Sequence, residues 1–331
     1  MRYCRAAAWL AVLPMCVFAA GPEGSRPPII DVHVHALPLD FFGLEPVQIC
    51  SGAIHFLPRD GAESFTIHDV TSCDRPLSPP PDDAANRAAV LNYLEALNIT
   101  AIVSGPLKIV HNWRAAAPQR VLPAVMLFLP GNPPVQDIRA AIAAKDIVVL
   151  GEVMTQYPGV ASDAAELEPY FALAEEQDIP VALHMGLGAP AAAYVGQSGY
   201  RSQLTSPLSL EPVLLKHPRL RIYVMHAGWP LLDEMIHLMY SHPQVYVDTG
   251  IISYGIPRPE FHHYLRRLVE AGFSKRILFG SDQMIWPDAI PVAIEAVESA
   301  PFLTAEQKRD IFYDNAVRFL RLDTLIGGER K

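Results

Sequence analysis

The stretch PIIDVHVHALP at residues 28–38 combines the composition of a buried strand with a series of polar residues. Its β-branched and apolar residues predict a strand, on which successive side chains point to opposite faces. This alternation predicts that Asp31, His33 and His35 share one face and that the two intervening valines share the other. Polar groups buried on one face need partners, because an unpaired polar group in a core costs free energy. A metal ion is one such partner, provided that other parts of the chain supply further ligands.

Seven more apolar runs follow this stretch, and amphipathic helical patterns separate most of them. Their hydrophobicity is mostly continuous, which is typical of parallel strands that are buried on both faces. Eight βα units in a chain of 331 residues predict an α/β fold, a (β/α)₈ TIM barrel. An open doubly wound sheet is the competing fold, but no glycine-rich phosphate loop follows the first strand. The seven runs are ITAIVSGP (99–106), VLPAVMLFLP (121–130), IVVLGEV (147–153), IPVALHMG (179–186), LRIYVMHAG (220–228), VYVDTG (245–250) and RILFGSD (276–282).

Two long connections interrupt the βα rhythm. Residues 38–81 follow the first strand, are rich in Pro, Gly and Ser, and end in PLSPPPDD at the start of the next helical pattern. Residues 187–207 follow the fifth strand. We expect one barrel domain over residues 28–331, with residues 38–81 as a rim insertion. Both connections are expected at the C-terminal rim, where barrel enzymes build their substrate pockets.

The first residues have the pattern of an export signal. A short basic segment, MRYCR, precedes the apolar segment AAAWLAVLPMCVFAA, and small residues allow cleavage after Ala19. We therefore expect residues 1–19 to be a signal peptide and the mature protein to be periplasmic or secreted. Cys50 and Cys73 remain after cleavage, and in an oxidising compartment they are expected to form a disulfide.

The charge balance narrows the choice of partners. The chain has a formal net charge of −9 and no basic cluster. This argues against nucleic acid as a partner and against stable membrane association after signal cleavage. A small-molecule substrate is the expectation, and the sequence leaves a homo-oligomer open.

Four more polar residues follow strand candidates at their C-terminal ends. Glu152 follows IVVLG, His184 ends PVALH, His226 ends RIYVMH, and Asp282 ends RILFGSD. In a barrel the C-terminal ends of all strands meet at one mouth, where such folds place their chemistry. Together with the histidines of the first strand they form a ligand set suited to Zn²⁺ or a similar divalent metal.

These motifs resemble the amidohydrolase superfamily and, within it, the amidohydrolase-related family, which includes amidohydrolases, lactonases and some non-oxidative decarboxylases. The resemblance covers residues 28–322. It rests on DVHVH, on GE after strand four, and on LHMG, HAGWP, LFGSD and the closing helix IFYDNAVRFLRL.

The resemblance implies roles for individual residues. His33 and His35 would bind the metal, joined by His184 or Asp282 or both. His226 would bind a second metal or polarise the substrate, and Asp282 would move the proton. Many binuclear members carry a carboxylated lysine on strand four, where this chain has a glutamate. Since a glutamate can also bridge two ions, the number of metals, one or two, stays open.

Other residues have competing structural interpretations. Glu152 could cap the following loop instead of binding metal. Arg201 could clamp a substrate carboxylate or be an ordinary solvated arginine. Trp286 could line the substrate pocket or only pack. Asp31 could orient a ligand histidine or bind backbone amides, and Asp248 is interpreted as structural.

The leading functional hypothesis is a metal-dependent hydrolase that cleaves an amide, cyclic amide or lactone bond with a metal-activated water. Asp282 would be the general acid–base and His226 would stabilise charge on the carbonyl oxygen. The first alternative is a non-oxidative decarboxylase of a small carboxylic acid on the same metal site. The second is a catalytically inactive barrel that binds a metal or ligand, which would have no need of the proton carrier.

Overall fold

The protein contains one sheet of eight parallel strands arranged in chain order. The structure, a computed structural model, describes residues 26–52, 60, 62–63, 66–71 and 73–322. The predicted signal peptide lies outside the described residues. We number the strands of this sheet β1 (Ile29–His35), β2 (Ile99–Ser104), β3 (Val121–Phe128), β4 (Val149–Met154), β5 (Val181–His184), β6 (Ile222–Met225), β7 (Val245–Asp248) and β8 (Ile277–Leu278).

Hydrogen bonds between β1 and the segment that follows β8 join the two ends of the sheet. The amide of Val32 donates to the carbonyl of Phe279 at 2.9 Å, and the amide of Asp282 donates to the carbonyl of His33 at 2.7 Å. These bonds satisfy backbone groups that a free sheet edge would leave exposed. The predicted (β/α)₈ barrel is confirmed.

Helices surround the strands, and they coincide with the amphipathic patterns of the sequence. The side chain of Asp82 accepts a hydrogen bond from the amide of Ala85 and so caps the first long helix. No helix in the described part of the chain is both long and apolar enough to cross a membrane. The α-helices are α1 (Ile67–Thr71), α2 (Asp83–Ala96), α3 (Leu107–Ala116), α4 (Val135–Ala143), α5 (Glu168–Glu176), α6 (Glu211–Lys216), α7 (Leu232–Ser241), α8 (Ile252–Gly255), α9 (Arg258–Glu270), α10 (Ala289–Glu298), α11 (Ala305–Arg309) and α12 (Asn315–Leu320).

Short helical turns complete the connections. A π-helical turn, Asp310–Asp314, joins α11 to α12. The 3₁₀ turns are Leu39–Phe42, Ala192–Tyr194, Ser202–Thr205, Pro207–Leu210, His226–Gly228 and Ser274–Arg276.

Two apolar clusters form the core. The larger one fills the layer between strands and helices. The smaller one takes one or two residues from most of the barrel strands, including Ile102, Ala124 and Tyr223, together with Phe319 of α12. This interior cluster occupies the barrel below the mouth, so the polar residues at the strand ends rest on a packed apolar floor.

The first strand departs from the predicted alternation. Val32 belongs to the interior cluster with Ile30, whereas Val34 belongs to the larger cluster. The expectation that the two valines share one face is therefore wrong. The pairing register of β1 with β2 shifts between Asp31 and Val34. Such an irregularity changes the phase of a strand, and here it allows His33 to face the barrel mouth although its neighbour Val32 also points inward.

The connection after β1 is tied to the barrel rim. Two two-residue strands, Ile49–Cys50 and Pro76–Leu77, pair in antiparallel fashion. The predicted disulfide between Cys50 and Cys73 is present, with a Cα–Cα distance of 5.9 Å. The ribbon and the disulfide hold apolar residues of this segment over one side of the mouth.

Candidate metal centre

The structure brings all six predicted metal ligands together at the C-terminal mouth of the barrel. Five different strands position them. Two ligands lie within β1 and one within β4, one ends β5, one directly follows β6, and one lies four residues beyond the end of β8. All six side chains are buried: His33, His35, Glu152, His184, His226 and Asp282.

The first ligand group consists of His33, His35 and Asp282, whose donor atoms lie within 4.8 Å of one another. The two Nε2 atoms of the histidines are 3.1 Å apart. Oδ1 of Asp282 lies 3.2 Å from Nε2 of His35 and 3.5 Å from Nε2 of His33. Nitrogen ligands at about 2.0–2.1 Å from one zinc ion lie roughly 3.0–3.4 Å apart, so these separations suit a shared ion.

The second ligand group consists of His33, Glu152 and His226. Oε1 of Glu152 lies 3.9 Å from Nε2 of His226, and Oε2 lies 3.8 Å from Nε2 of His33. His184 joins this group, because its Nδ1 contacts Oε1 of Glu152 and lies 3.1 Å from Nε2 of His226. The two groups therefore share His33 and adjoin along the carboxylate of Glu152.

The hydrogen bonds of the histidines determine which ring nitrogens face the centre. His33 bonds through Nδ1 to Oδ2 of Asp248 at 2.9 Å, and His226 bonds through Nδ1 to the carbonyl of Gly250 at 3.1 Å. His184 bonds through Nε2 to the carbonyl of Leu187 at 2.7 Å. Carboxylate and carbonyl oxygens only accept, so these nitrogens donate. The opposite nitrogen of each neutral ring then presents a lone pair to the centre, as a metal ligand must.

The charges of the centre also fit a cation. Burial acts to lower the pKa of His33, but the carboxylates of Asp282 and Asp248 outweigh it and raise that pKa well above its usual value. Burial also acts to lower the pKa of His35, but the carboxylates of Asp282 and Glu152, each 3.2 Å from its Nε2, outweigh burial and raise that pKa. For Glu152, burial favours a higher pKa, yet the contact with His184 and the other histidines holds it well below the usual range. The buried carboxylate of Glu152 therefore stays ionised and needs positive charge beside it.

The donor set and one unpaired atom support a bound metal. Oδ1 of Asp282 is buried and makes no hydrogen bond. A buried carboxylate oxygen without a partner is costly, whereas a divalent ion between this oxygen and the two β1 histidines would satisfy it. The residues present therefore fit a divalent metal of the zinc type.

Residues around the ligands fix their orientation, and the motifs of the sequence did not identify all of these residues. Asp248, interpreted there as structural, binds His33 through Oδ2 and accepts the amide of His226 through Oδ1 at 2.9 Å. Oγ of Ser104 lies 3.0 Å from Nδ1 of His35. Both residues end barrel strands, β7 and β2, and this position was the available sequence signal.

Asp31 and Gln283 hold the backbone of β1. Oδ1 of Asp31 accepts the amides of His33 at 3.0 Å and Ser281 at 2.9 Å, which is the second of the two roles considered for it. Burial raises the pKa of Asp31 to about 7. Gln283 donates to the carbonyl of His35 at 2.6 Å and accepts its amide at 3.0 Å. The backbone of the metal-binding strand is thus fixed from the end of β8.

Four residues that line the mouth have positive φ angles although none is glycine. They are His226 at 58°, Ile251 at 45°, Asp282 at 51° and Met284 at 48°. Side chains other than glycine rarely adopt this region, and strained backbone of this kind clusters at functional sites. The site is therefore held by the surrounding fold rather than by local backbone preference.

A cavity of about 700 Å³ opens above the ligands. Glu152, His184, His226 and Asp282 form its polar base, and most of its walls are apolar. Trp286 lines the cavity and donates from Nε1 to the carbonyl of Val47 at 2.6 Å. Both of the roles considered for it, lining the pocket and packing against the fold, therefore apply.

Arg201 lies apart from this cavity. Its side chain is exposed and donates to the carbonyls of Ser198 at 2.9 Å and Tyr200 at 2.8 Å. The structure thus does not bring Arg201 to the substrate space, which agrees with the solvated alternative.

The barrel fold and the candidate ligands clustered at its strand ends together define the class of protein: an amidohydrolase-superfamily barrel with a candidate metal centre at its mouth. The family model described as Amidohydrolase (Amidohydro_2) matches residues 30–322. The chain belongs to this family, and the resemblance inferred from the motifs is confirmed.

Solved structures of low sequence identity share the fold. An uncharacterised TIM-barrel protein from Bordetella bronchiseptica is 21% identical, with a TM-score of 0.55, and the match covers 74% of this chain and 86% of that one. A 2,6-dihydroxybenzoate decarboxylase is 18% identical, with a TM-score of 0.52 and coverage of 70% and 86%. A probable 2-pyrone-4,6-dicarboxylic acid hydrolase from Acinetobacter baumannii is 14% identical, with a TM-score of 0.56 and coverage of 89% and 100%.

Among curated proteins, Protein fluG of Emericella nidulans is 25% identical over 114 residues. The match covers 34% of this chain and 12% of the relative, so the chain spans only a small part of that protein.

Proposed function

We propose that the protein is a metal-dependent hydrolase that cleaves an amide, cyclic amide or lactone bond of a small molecule. The observation that carries the proposal is the position of the Asp282 carboxylate. It lies beside both histidines of β1, and its buried Oδ1 has no hydrogen-bond partner. Such a carboxylate can bind the metal and can also accept a proton at the point where a substrate carbonyl would enter.

The residues that would hold the metals follow from the two ligand groups. His33, His35 and Asp282 would hold one ion, and His184 and His226 would hold a second. Glu152 would contribute one oxygen to each. When bound, divalent ions of this kind lower the pKa of a coordinated water and polarise a carbonyl group.

Asp282 would move the proton. Its backbone is fixed on both sides, because its amide donates to the carbonyl of His33 at 2.7 Å and the hydroxyl of Tyr254 donates to its own carbonyl at 2.6 Å. The carboxylate is thus held at the mouth, where it would take the proton of the attacking water and return it to the leaving group. Holding such a group in place reduces the entropy lost on reaching the transition state.

The cavity would exclude bulk water around the reacting bond. Its walls bring Phe41, Met154 and Leu187 around the polar base. The hydroxyl of Tyr157, another lining residue, accepts the amide of Ala189 at 3.0 Å, which leaves its own proton free for a substrate oxygen. A dry site of this kind strengthens every electrostatic interaction within it.

Decarboxylation of a small carboxylic acid is the second candidate function. A decarboxylase of 2,6-dihydroxybenzoate shares this fold, and a single ion on His33, His35 and Asp282 would suffice to hold a carboxylate. Glu152 favours hydrolysis, because its two oxygens face both ligand groups and so support a second ion.

Product analysis distinguishes the two reactions. Zinc-loaded protein should be incubated in ¹⁸O-labelled water with lactones and amides, and separately with hydroxybenzoic acids. Hydrolysis predicts one ¹⁸O atom in the acyl product and no release of CO₂ from the acids. Release of CO₂ without turnover of any lactone or amide would move the assignment to decarboxylation. Zinc-loaded protein that acts on neither set would leave the inactive metal-binding barrel as the better account.

We also propose that the protein acts after export, on a substrate outside the cytoplasm. The signal-peptide pattern of residues 1–19 and the disulfide between Cys50 and Cys73 support this. Amino-terminal sequencing of protein from the periplasmic or extracellular fraction should begin at residue 20. A full-length chain retained in the cytoplasm with free thiols would contradict export.

A further inference from the structure

We infer that the cavity selects an uncharged, ring-bearing substrate, and that Phe128 at its rim is a specificity-determining residue. This deepens the proposed hydrolase function and rests on it. Two features of the cavity carry the inference: an aromatic wall, and the absence of lysine and arginine among its described lining residues.

The aromatic wall consists of Phe41, Phe42, Phe128 and Trp286. The rings of Phe42 and Trp286 are stacked, with centroids 5.6 Å apart and planes inclined by 12°. Phe41 contacts Phe42 edge to face at 5.1 Å and lies 6.2 Å from Phe128. The bond from Trp286 to the carbonyl of Val47 fixes this wall. Aromatic rings favour such stacked and edge-to-face contacts, so a flat ring in the cavity can pack on this wall in the same geometries.

Part of the aromatic wall is open to the cavity. Phe128 ends β3 and is 36% exposed, although it is a large apolar side chain. Exposed apolar surface of this kind marks a ligand-binding surface when it lines a concave site. A ring-bearing substrate would cover it.

The charge of the cavity disfavours an anionic group away from the metal. None of the described residues that line it is lysine or arginine, and Asp40 adds a carboxylate at the rim. Proteins bind carboxylates mainly with arginine and lysine. A substrate carboxylate in this cavity would therefore lose its hydration without gaining a cationic partner. An uncharged ring loses little hydration free energy on entering the cavity, so it needs no cationic partner there.

A matched pair of esters tests the inference. 4-Acetoxybenzamide and 4-acetoxybenzoate have the same shape and differ in one negative charge. In each, water adds to the acetyl carbon, the ester C–O bond breaks, the phenol leaves with one proton of the water, and acetic acid forms, which releases its proton to solvent as acetate. We expect kcat/KM of zinc-loaded protein, corrected for the uncatalysed rate, to be at least about tenfold higher for the uncharged ester. Equal rates or a preference for the anionic ester would overturn the inference.

Phe128 allows the preference to be reversed. Phe128→Arg places a cation at the partly exposed rim, and Phe128→Gln is the matched control without charge. We expect Phe128→Arg to raise kcat/KM for 4-acetoxybenzoate by about tenfold or more, while Phe128→Gln leaves the ratio of the two esters near that of the wild type. If the two variants change the ratio equally, Phe128 does not determine charge preference.

A binding measurement separates this inference from the proposed function. 4-Acetamidobenzamide and 4-acetamidobenzoate carry a slowly reacting amide in place of the ester, and quenching of Trp286 fluorescence reports occupancy, with Trp286→Phe as the blank. Tighter binding of the uncharged compound supports the inference even if neither ester is turned over, a result that would count against hydrolysis alone. Tighter binding of the anion would overturn the inference. The variant Arg59→Gln would then test whether Arg59, which lies outside the described residues, is the cation responsible.

Discussion

Oε2 of Glu152 lies 3.2 Å from Nε2 of His35, while Oε1 of the same carboxylate contacts Nδ1 of His184. The two oxygens thus face different histidine pairs on opposite sides of the barrel mouth. A carboxylate in this position can bridge two ions, as the two-metal hydrolytic sites require. We therefore predict that the side chain at this position decides whether the centre holds one metal or two.

The histidines of β1 should be required for metal binding. His33→Ala and His35→Ala each remove a donor nitrogen from the first ligand group, and we expect either change to remove most of the bound metal. His111→Ala, at an exposed position of α3, is the control and should retain wild-type metal content. Elemental analysis of the purified proteins gives the answer. Full metal content in both β1 variants would place the site elsewhere.

Asp248 should control the tautomer of His33. In Asp248→Asn, the side-chain amide can donate to Nδ1 of His33, which would move the ring proton to Nε2 and block the ligand lone pair. We expect zinc affinity to fall by about 10- to 100-fold. Competition with a chelating dye measures this, and Asp233→Asn on the exposed face of α7 is the control. An unchanged affinity would show that the bond between Asp248 and His33 is only structural.

Asp282 should be required for turnover more than for folding. Asp282→Asn keeps the shape of the side chain but cannot accept the proton, and we expect kcat to fall by roughly 100-fold or more. Circular dichroism should show an intact barrel. Wild-type turnover in this variant would remove Asp282 from the mechanism, whereas loss of the fold would make the structural role dominant.

Metal binding and stability should depend on pH through His33 and His35. In the ion-free protein their pKa values are raised, so both rings hold protons to higher pH than a free histidine. Their ion pairs stabilise the ion-free fold below about pH 6.5, and this contribution is lost as pH rises through the raised pKa values. Metal affinity changes in the opposite direction, because the ion must displace these protons.

The stabilisation by zinc should therefore increase with pH. We expect the difference in Tm between zinc-loaded and stripped protein to be larger at about pH 8 than at about pH 6. Scanning calorimetry at both pH values measures it. A difference that shrinks with rising pH would contradict the protonation of the two histidines in the ion-free state.

The sequence predicts the barrel well, and it also predicts which polar side chains meet at the mouth, because both depend on local patterns. Eight apolar runs give the strands, and polar residues that end them must meet at one mouth. The register shift in β1 is different. It depends on pairing with β2 rather than on the composition of either strand, so simple alternation misplaced Val32 relative to Val34.

The supporting residues were harder to recognise. Asp248 and Ser104 end strands like the ligands, but their partners, His33 and His35, are distant in sequence. Arg201 was a candidate substrate-binding residue that the structure does not bring to the cavity. It lies in the long loop after β5, and only the folded loop shows that its guanidinium donates to backbone carbonyls of the same loop. Loop conformation is set by contacts that periodicity does not report.

Glu152→Gln should separate the two ions by stoichiometry. The amide retains one oxygen but loses the charge that would bridge the ligand groups, so we expect the bound zinc to fall from two ions per chain to one, with a large loss of rate. Equilibrium dialysis followed by elemental analysis measures the change. A wild type that already saturates at one ion would favour the decarboxylase alternative.

Anomalous diffraction at the zinc edge from crystals of the zinc-loaded wild type would show directly how many ions the barrel mouth holds and where they lie. We expect two peaks about 3.5–4 Å apart, one on each side of the Glu152 carboxylate. The first peak should lie within ligand distance of His33 and His35, and the second within ligand distance of His184 and His226. No peak at the barrel mouth, or a single peak with Glu152 turned away from it, would contradict the two-metal centre.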